Sequence, residues 1–241
     1  MRSPCVGGCE VTRMENQSSE TAVEYEIETS HLPWKWLERR AGRAFTLGGA
    51  LLVASALVPI GLASVTEWSW ASGLILVGIS VIAIGVGLLG TFPQVRDQAP
   101  WLARIGALCA TGAGAAAVGL IVLVGTAVTA AVTLGAALPK PMGVFQALAL
   151  AMAGGLALGF VLFGVARVWT GGSSDIPGSL LVAGGIVLLV PVLGELLRMS
   201  VGIGTPSWVL FGALGVLALD SLAIGYSFRS AAGSLSVTGL W

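Results

Sequence analysis

Six long apolar stretches divide this chain, and few polar residues interrupt them. They cover residues 44–64, 71–92, 105–128, 142–166, 178–197 and 207–228. Each is close to the roughly 20 residues that a helix needs to cross about 30 Å of hydrocarbon. No segment alternates apolar and polar positions with period 2, as the strands of a membrane barrel would. A helix also keeps its backbone hydrogen bonds inside one segment, which lipid demands. The pattern therefore predicts an all-α, polytopic integral membrane helical bundle of six transmembrane helices in three hairpins. Residues 67–70, 139–141 and 199–206 turn the hairpins, and residues 93–104 and 167–177 join them.

The third stretch raises an alternative. Residues 105–138 carry no charge, and as one helix they would measure about 51 Å. Splitting them would give seven spans. Two spans and a turn need about 40 residues, however. The centre of the stretch, residues 119–124, is also its most apolar part, where a hairpin tip calls for polar groups. Six spans are expected, with seven as the alternative, and the third helix should run beyond the lipid.

Composition agrees. Of 241 residues, 56% are apolar and 10% charged, against about 25% charged in an ordinary soluble domain. Net charge is zero and no large basic block exists, so nucleic acid is not an expected partner. The placement of charge says more than its amount. With the N-terminus inside, the inner side holds Arg2, Arg13, Lys35, Arg39, Arg40, Arg43, Arg96, Arg104, Arg167 and Arg229, and the outer side only Lys140 and Arg198. Cytoplasmic loops retain positive charge, so both termini are expected inside. Arginine far outnumbers lysine, and Ala, Gly and Val abound. That bias suits a GC-rich prokaryotic genome, so the expected location is a prokaryotic cell membrane.

Tryptophan marks the interfaces, where its apolar body and single N–H donor are both satisfied. Trp68, Trp70, Trp101, Trp169 and Trp208 fall within a few residues of a span end, and none of the 8 tryptophans lies mid-span.

Residues 1–30 form an acidic tail. Glu10, Glu15, Glu20, Glu24, Glu26 and Glu28 face Arg13 alone among few large apolar groups. Such a segment buries too little to offset its ordering entropy and is expected to be disordered. Met14 is an alternative start, which would remove Cys5 and Cys9; their spacing alone is weak support for zinc. Residues 31–43 interleave Trp34 and Trp36 with Lys35, Arg39, Arg40 and Arg43. This is the pattern of an interfacial helix, its rings at the headgroup level and its cations on anionic lipid. Residues 44–228 make the six-helix domain, and residues 229–241 a short cytoplasmic tail.

Helices in lipid associate through small residues. The spacings Ala83/Gly87, Gly112/Ala116, Ala115/Gly119 and Gly155/Gly159 fit, although 35 glycines make any one match weak. Pro59 and Pro191 lie inside the first and fifth spans as candidate helix breaks, each removing a backbone donor. Thr126, Thr129 and Thr133 share a helix face. They either line a polar path or bond back to carbonyls one turn earlier.

Ionisable groups inside spans are expensive and mark functional candidates. Asp220 lies about 12 Å from the inner end of the sixth span, too deep for a carboxylate to reach water. It is expected to face the bundle interior, where it binds a cation or proton, is held neutral, or serves as polar glue between helices. Glu195 and Arg198 stand three apart near the outer end of the fifth span and can pair as a cap or a gate.

No catalytic arrangement emerges. His31 is the only histidine and lies outside the spans, and no phosphate-binding or dinucleotide-binding motif occurs. No cofactor or metal is expected, and enzymatic activity is not favoured. The sequence reads as a small permease or channel-like transport component using Asp220. The alternative is a non-catalytic subunit or scaffold that packs against a membrane-protein partner or a second copy.

Overall fold

The computed structural model describes residues 40–58, 69–134, 142–171, 175–201 and 207–237. They form six helices, α1 (Arg40–Val58), α2 (Ser69–Arg96), α3 (Pro100–Leu134), α4 (Met142–Gly171), α5 (Ile176–Val201) and α6 (Ser207–Val237). All six are long and apolar enough to cross a membrane. No strand occurs among the described residues. The chain is thus a multi-pass helical membrane protein. Helix α3 is continuous over 35 residues, about 52 Å, so the third apolar stretch is one helix and six spans form, not seven.

The helices overrun the apolar stretches, and prolines explain two of the boundaries. Pro93 sits in the last turn of α2, where its missing donor leaves only one carbonyl exposed near the helix end. The helix therefore continues to Arg96. Pro100 opens α3 at the first helical position, where an N–H would be unpaired anyway. The link shrinks to residues 97–99, held by Ala99 N–H donating to the Val95 carbonyl at 2.8 Å. Helix α5 runs unbroken through Pro191, so that proline removes a donor without ending the helix. Helix α6 continues to Val237 and takes in much of the stretch expected as a tail. Arg40 and Arg43 stand exposed at the start of α1. Trp34, Lys35, Trp36, Arg39 and Pro59 lie outside the described residues, as does the acidic tail.

Helix α4 packs against α2, α3 and α5, which places it at the centre of the bundle. Helix α1 bridges α2 and α6. Ser80 Oγ on α2 donates to the Gly48 carbonyl on α1 at 2.7 Å, fully buried. On the other side of α1, a Cβ at Gly49 would stand 2.8 Å from the Ala218 carbonyl oxygen of α6. The α4–α5 contact is as close: a Cβ at Gly185 would meet the Ala157 carbonyl and the Val161 nitrogen, both at 2.9 Å. Backbones approach this closely only where a side chain is lacking. Of the small-residue spacings, Gly155 meets the Cys109 carbonyl of α3, while Gly112 faces open space.

The end of the bundle that carries Arg40, Arg43, Arg96, Arg104, Arg167 and Arg229 is tied together by aromatic and ionic contacts. Phe45 (α1) meets Phe160 (α4) edge-on at 6.2 Å and stacks on Phe228 (α6) at 6.1 Å. The Arg167 guanidinium lies 4.8 Å from the Phe228 ring centroid and pairs with Asp175 at 2.7 Å. Asp175 immediately precedes α5, where a carboxylate also favours the helix N-terminus. The pair is mostly buried, with side chains 19% and 15% exposed. Losing one partner strands the other. Arg167→Leu should therefore destabilise the bundle by about 2 kcal/mol, read as a lower unfolding midpoint in micelles, whereas Arg229→Leu on the exposed rim should not.

Trp101 and Trp169 are exposed at the basic end, with the Arg104 guanidinium 5.9 Å from the Trp101 ring centroid. Trp70 stands at the opposite end of α2. All three stand near helix ends, where an interfacial belt would place them.

Candidate functional site

Two features interrupt the apolar interior: a deep cavity at the end opposite the basic one, and Asp220 beneath it.

The cavity has a volume of about 790 Å³ and opens among α2, α4, α5 and α6, with Leu120 of α3 also in its wall. None of the described α1 residues lines it. Its walls are largely apolar, among them Leu74 and Val77 of α2, Met152 of α4, Leu188 of α5 and Leu214 of α6. The volume falls within the 300–1,000 Å³ usual for small-molecule sites.

One polar cluster lies at the far end of α5. Glu195 Oε1 accepts from Arg198 Nη2 at 2.5 Å and from Arg198 Nε at 3.1 Å. It also accepts from Gln146 Nε2 of α4. All three residues line the cavity. The Glu195–Arg198 pair follows from their spacing on one helix. Gln146 was not anticipated, though a signal existed: it is the one strongly polar side chain in residues 142–166.

Asp220 is buried, with 8% of its surface exposed. Its carboxylate projects from α6 onto α5 at Gly184, and Oδ2 occupies the space that a Cβ there would need. Phe160 of α4 closes the third side, its Cδ1 lying 3.3 Å from the same Cβ position. Glycine at 184 is what lets the carboxylate reach between the helices. Among the described residues Oδ2 has no hydrogen-bond partner, and neither does Oγ of the adjacent, fully buried Ser221. The two ion pairs of the described residues, Arg167–Asp175 and Arg198–Glu195, leave Asp220 out.

Asp220 is not part of the cavity lining. It sits one helical turn below the floor, since Leu188 lines the cavity and Gly184 is four residues on, about 6 Å. Along α5, Glu195 and Gly184 are about 16 Å apart, so the two carboxylates act at separate depths.

The threonines of α3 lie elsewhere. Thr126, Thr129 and Thr133 are exposed, and their hydroxyls donate to the Leu123, Gly125 and Thr129 carbonyls at 3.0, 2.9 and 2.8 Å. None lines the cavity. Among the described residues, no group of three His, Cys, Asp or Glu could hold a metal ion.

No protein-family model, curated protein or solved structure matches the chain.

Proposed function

We propose that this protein is a small transport component of a cell membrane. It admits a solute through the cavity and uses Asp220, below the cavity floor, as a proton-exchanging carboxyl. The observation that carries this reading is the vertical arrangement: an open cavity above a buried carboxylate with an oxygen unpaired among the described residues, above a cluster of aromatic and ionic contacts. A lone carboxylate deep in a span is costly, and a proton removes that cost without a counter-cation. The excess of arginine at the basic end makes that end cytoplasmic, so the cavity faces outward. Glu195, Arg198 and Gln146 stand at its mouth.

A second reading, a scaffold for a partner, draws on α3. That helix buries the smallest share of its span of the six, and Gly112 and Ala115 lie exposed on it.

Thiol labelling separates the two. In a background with Cys5, Cys9 and Cys109 replaced by alanine, Ala153→Cys places a thiol in the cavity wall and Ala157→Cys one turn deeper, in the core. A membrane-impermeant maleimide should label Ala153→Cys readily in lipid-stripped micelles and, in vesicles, only from the right-side-out face and at the rate at which the occupant of the cavity exchanges, and should leave Ala157→Cys untouched throughout. No labelling of Ala153→Cys even in lipid-stripped micelles would mean a sealed interior and favour the scaffold. Labelling from the inverted side alone would overturn the assigned orientation.

A further inference from the structure

The cavity has the proportions of one bilayer leaflet. From Arg198 at its mouth to Leu188 at its floor is ten residues of α5, about 15 Å. That is half of the roughly 30 Å hydrocarbon thickness. Its polar groups are confined to the mouth, at the level of Trp70, which also lines it. The walls below, from Leu74 to Met152 and Leu214, are apolar. A cavity for a compact hydrophilic solute would carry polar groups along its depth. This one repeats the profile of a lipid: a polar head at the interface and one leaflet of hydrocarbon beneath.

The charges at the mouth narrow the head. Glu195 and Arg198 sum to zero and remain partly open, with side chains 25% and 51% exposed. Among the described residues, three hydrogen bonds to Glu195 converge on Oε1 and none falls on Oε2. An anionic head would meet the Glu195 carboxylate, and a cationic one the Arg198 guanidinium. A zwitterionic head satisfies both.

We propose that the cavity is a lipid site, holding an acyl chain of a zwitterionic phospholipid from the outer leaflet, with its phosphate on Arg198 and its ammonium at Glu195. This names the solute and so rests on the reading of the cavity as a solute site. It is independent of proton exchange at Asp220.

The test uses the full chain in nanodiscs of equal parts dioleoylphosphatidylcholine and dioleoylphosphatidylglycerol, with native mass spectrometry of the lipid retained by the ejected protein. One retained phosphatidylcholine per chain is expected, at about tenfold over phosphatidylglycerol. Ala153→Phe from α4 and Leu214→Trp from α6 each fill the cavity and should cut retention about tenfold at an unchanged unfolding midpoint. Two variants on opposite walls guard against one that fails to fold. Glu195→Gln combined with Arg198→Gln should keep a lipid and lose the preference for phosphatidylcholine. Retention unchanged in both filled variants would overturn the site, because belt lipid would behave so. Equal or greater retention of phosphatidylglycerol by the unaltered chain would overturn the head assignment. Failure here with an Asp220-dependent proton current intact removes the lipid and spares transport; the reverse leaves a lipid site without proton coupling.

Discussion

Replacing Gly184 by leucine should be among the most damaging single changes to this bundle, at about 3 kcal/mol or more. Overpacking a filled interior usually costs 1–3 kcal/mol, and here the intruding atoms meet a buried carboxylate wedged between helices and an aromatic ring. A Cβ at this position already coincides with Asp220 Oδ2 and stands 3.3 Å from Phe160 Cδ1. Gly184→Ala should produce a milder form of the same defect. The informative variant is the double one. Asp220→Ala removes the obstructing carboxylate, so Gly184→Ala should cost much less in its presence than alone. The coupling should be about 1–2 kcal/mol, within the range measured for residues in contact. Unfolding midpoints of the four proteins in one micelle system give the cycle. Additive effects would mean that Asp220 does not lie against α5.

Much of the architecture was legible from the chain alone, because lipid penalises polar backbone and charged side chains heavily. Six apolar stretches of spanning length gave six helices, and Asp220 stood out as the one charge far from either end of its stretch. What could not be read was the rotation of each helix about its axis. These helices are apolar nearly all round, so no stripe marks an inner face. The glycines illustrate the point: Gly112 and Gly155 look equivalent in sequence, yet Gly155 meets the α3 backbone and Gly112 meets nothing.

Contacts between helices suffered most. Gln146 reaches Glu195 across 49 positions of sequence. Gly184 accommodates Asp220 from a different helix. Arg167 served the sequence argument only as one inward charge, whereas it ties α4 to Asp175 and to the Phe228 ring of α6. The cavity left no trace in sequence at all, since it is a gap between side chains that would suit lipid equally well. The threonines of α3 show the opposite limit. Their shared face was legible, but only the fold shows the hydroxyls turned onto their own helix.

Charge displacement on solid-supported membranes addresses the central claim most directly. A pH jump applied from the cavity side should produce a transient current as Asp220 exchanges a proton through the floor at Leu188. Asp220→Asn keeps the shape of the side chain and cannot ionise, so its current should fall at least tenfold, toward that of protein-free membranes. Glu195→Gln serves as the comparison, because it alters a carboxylate at the mouth and leaves the deep one in place. An unaltered-chain current at least tenfold above Asp220→Asn, with Glu195→Gln retaining most of it, is the predicted result. Equal currents from the unaltered chain and Asp220→Asn would contradict the account and leave Asp220 a buried structural carboxyl.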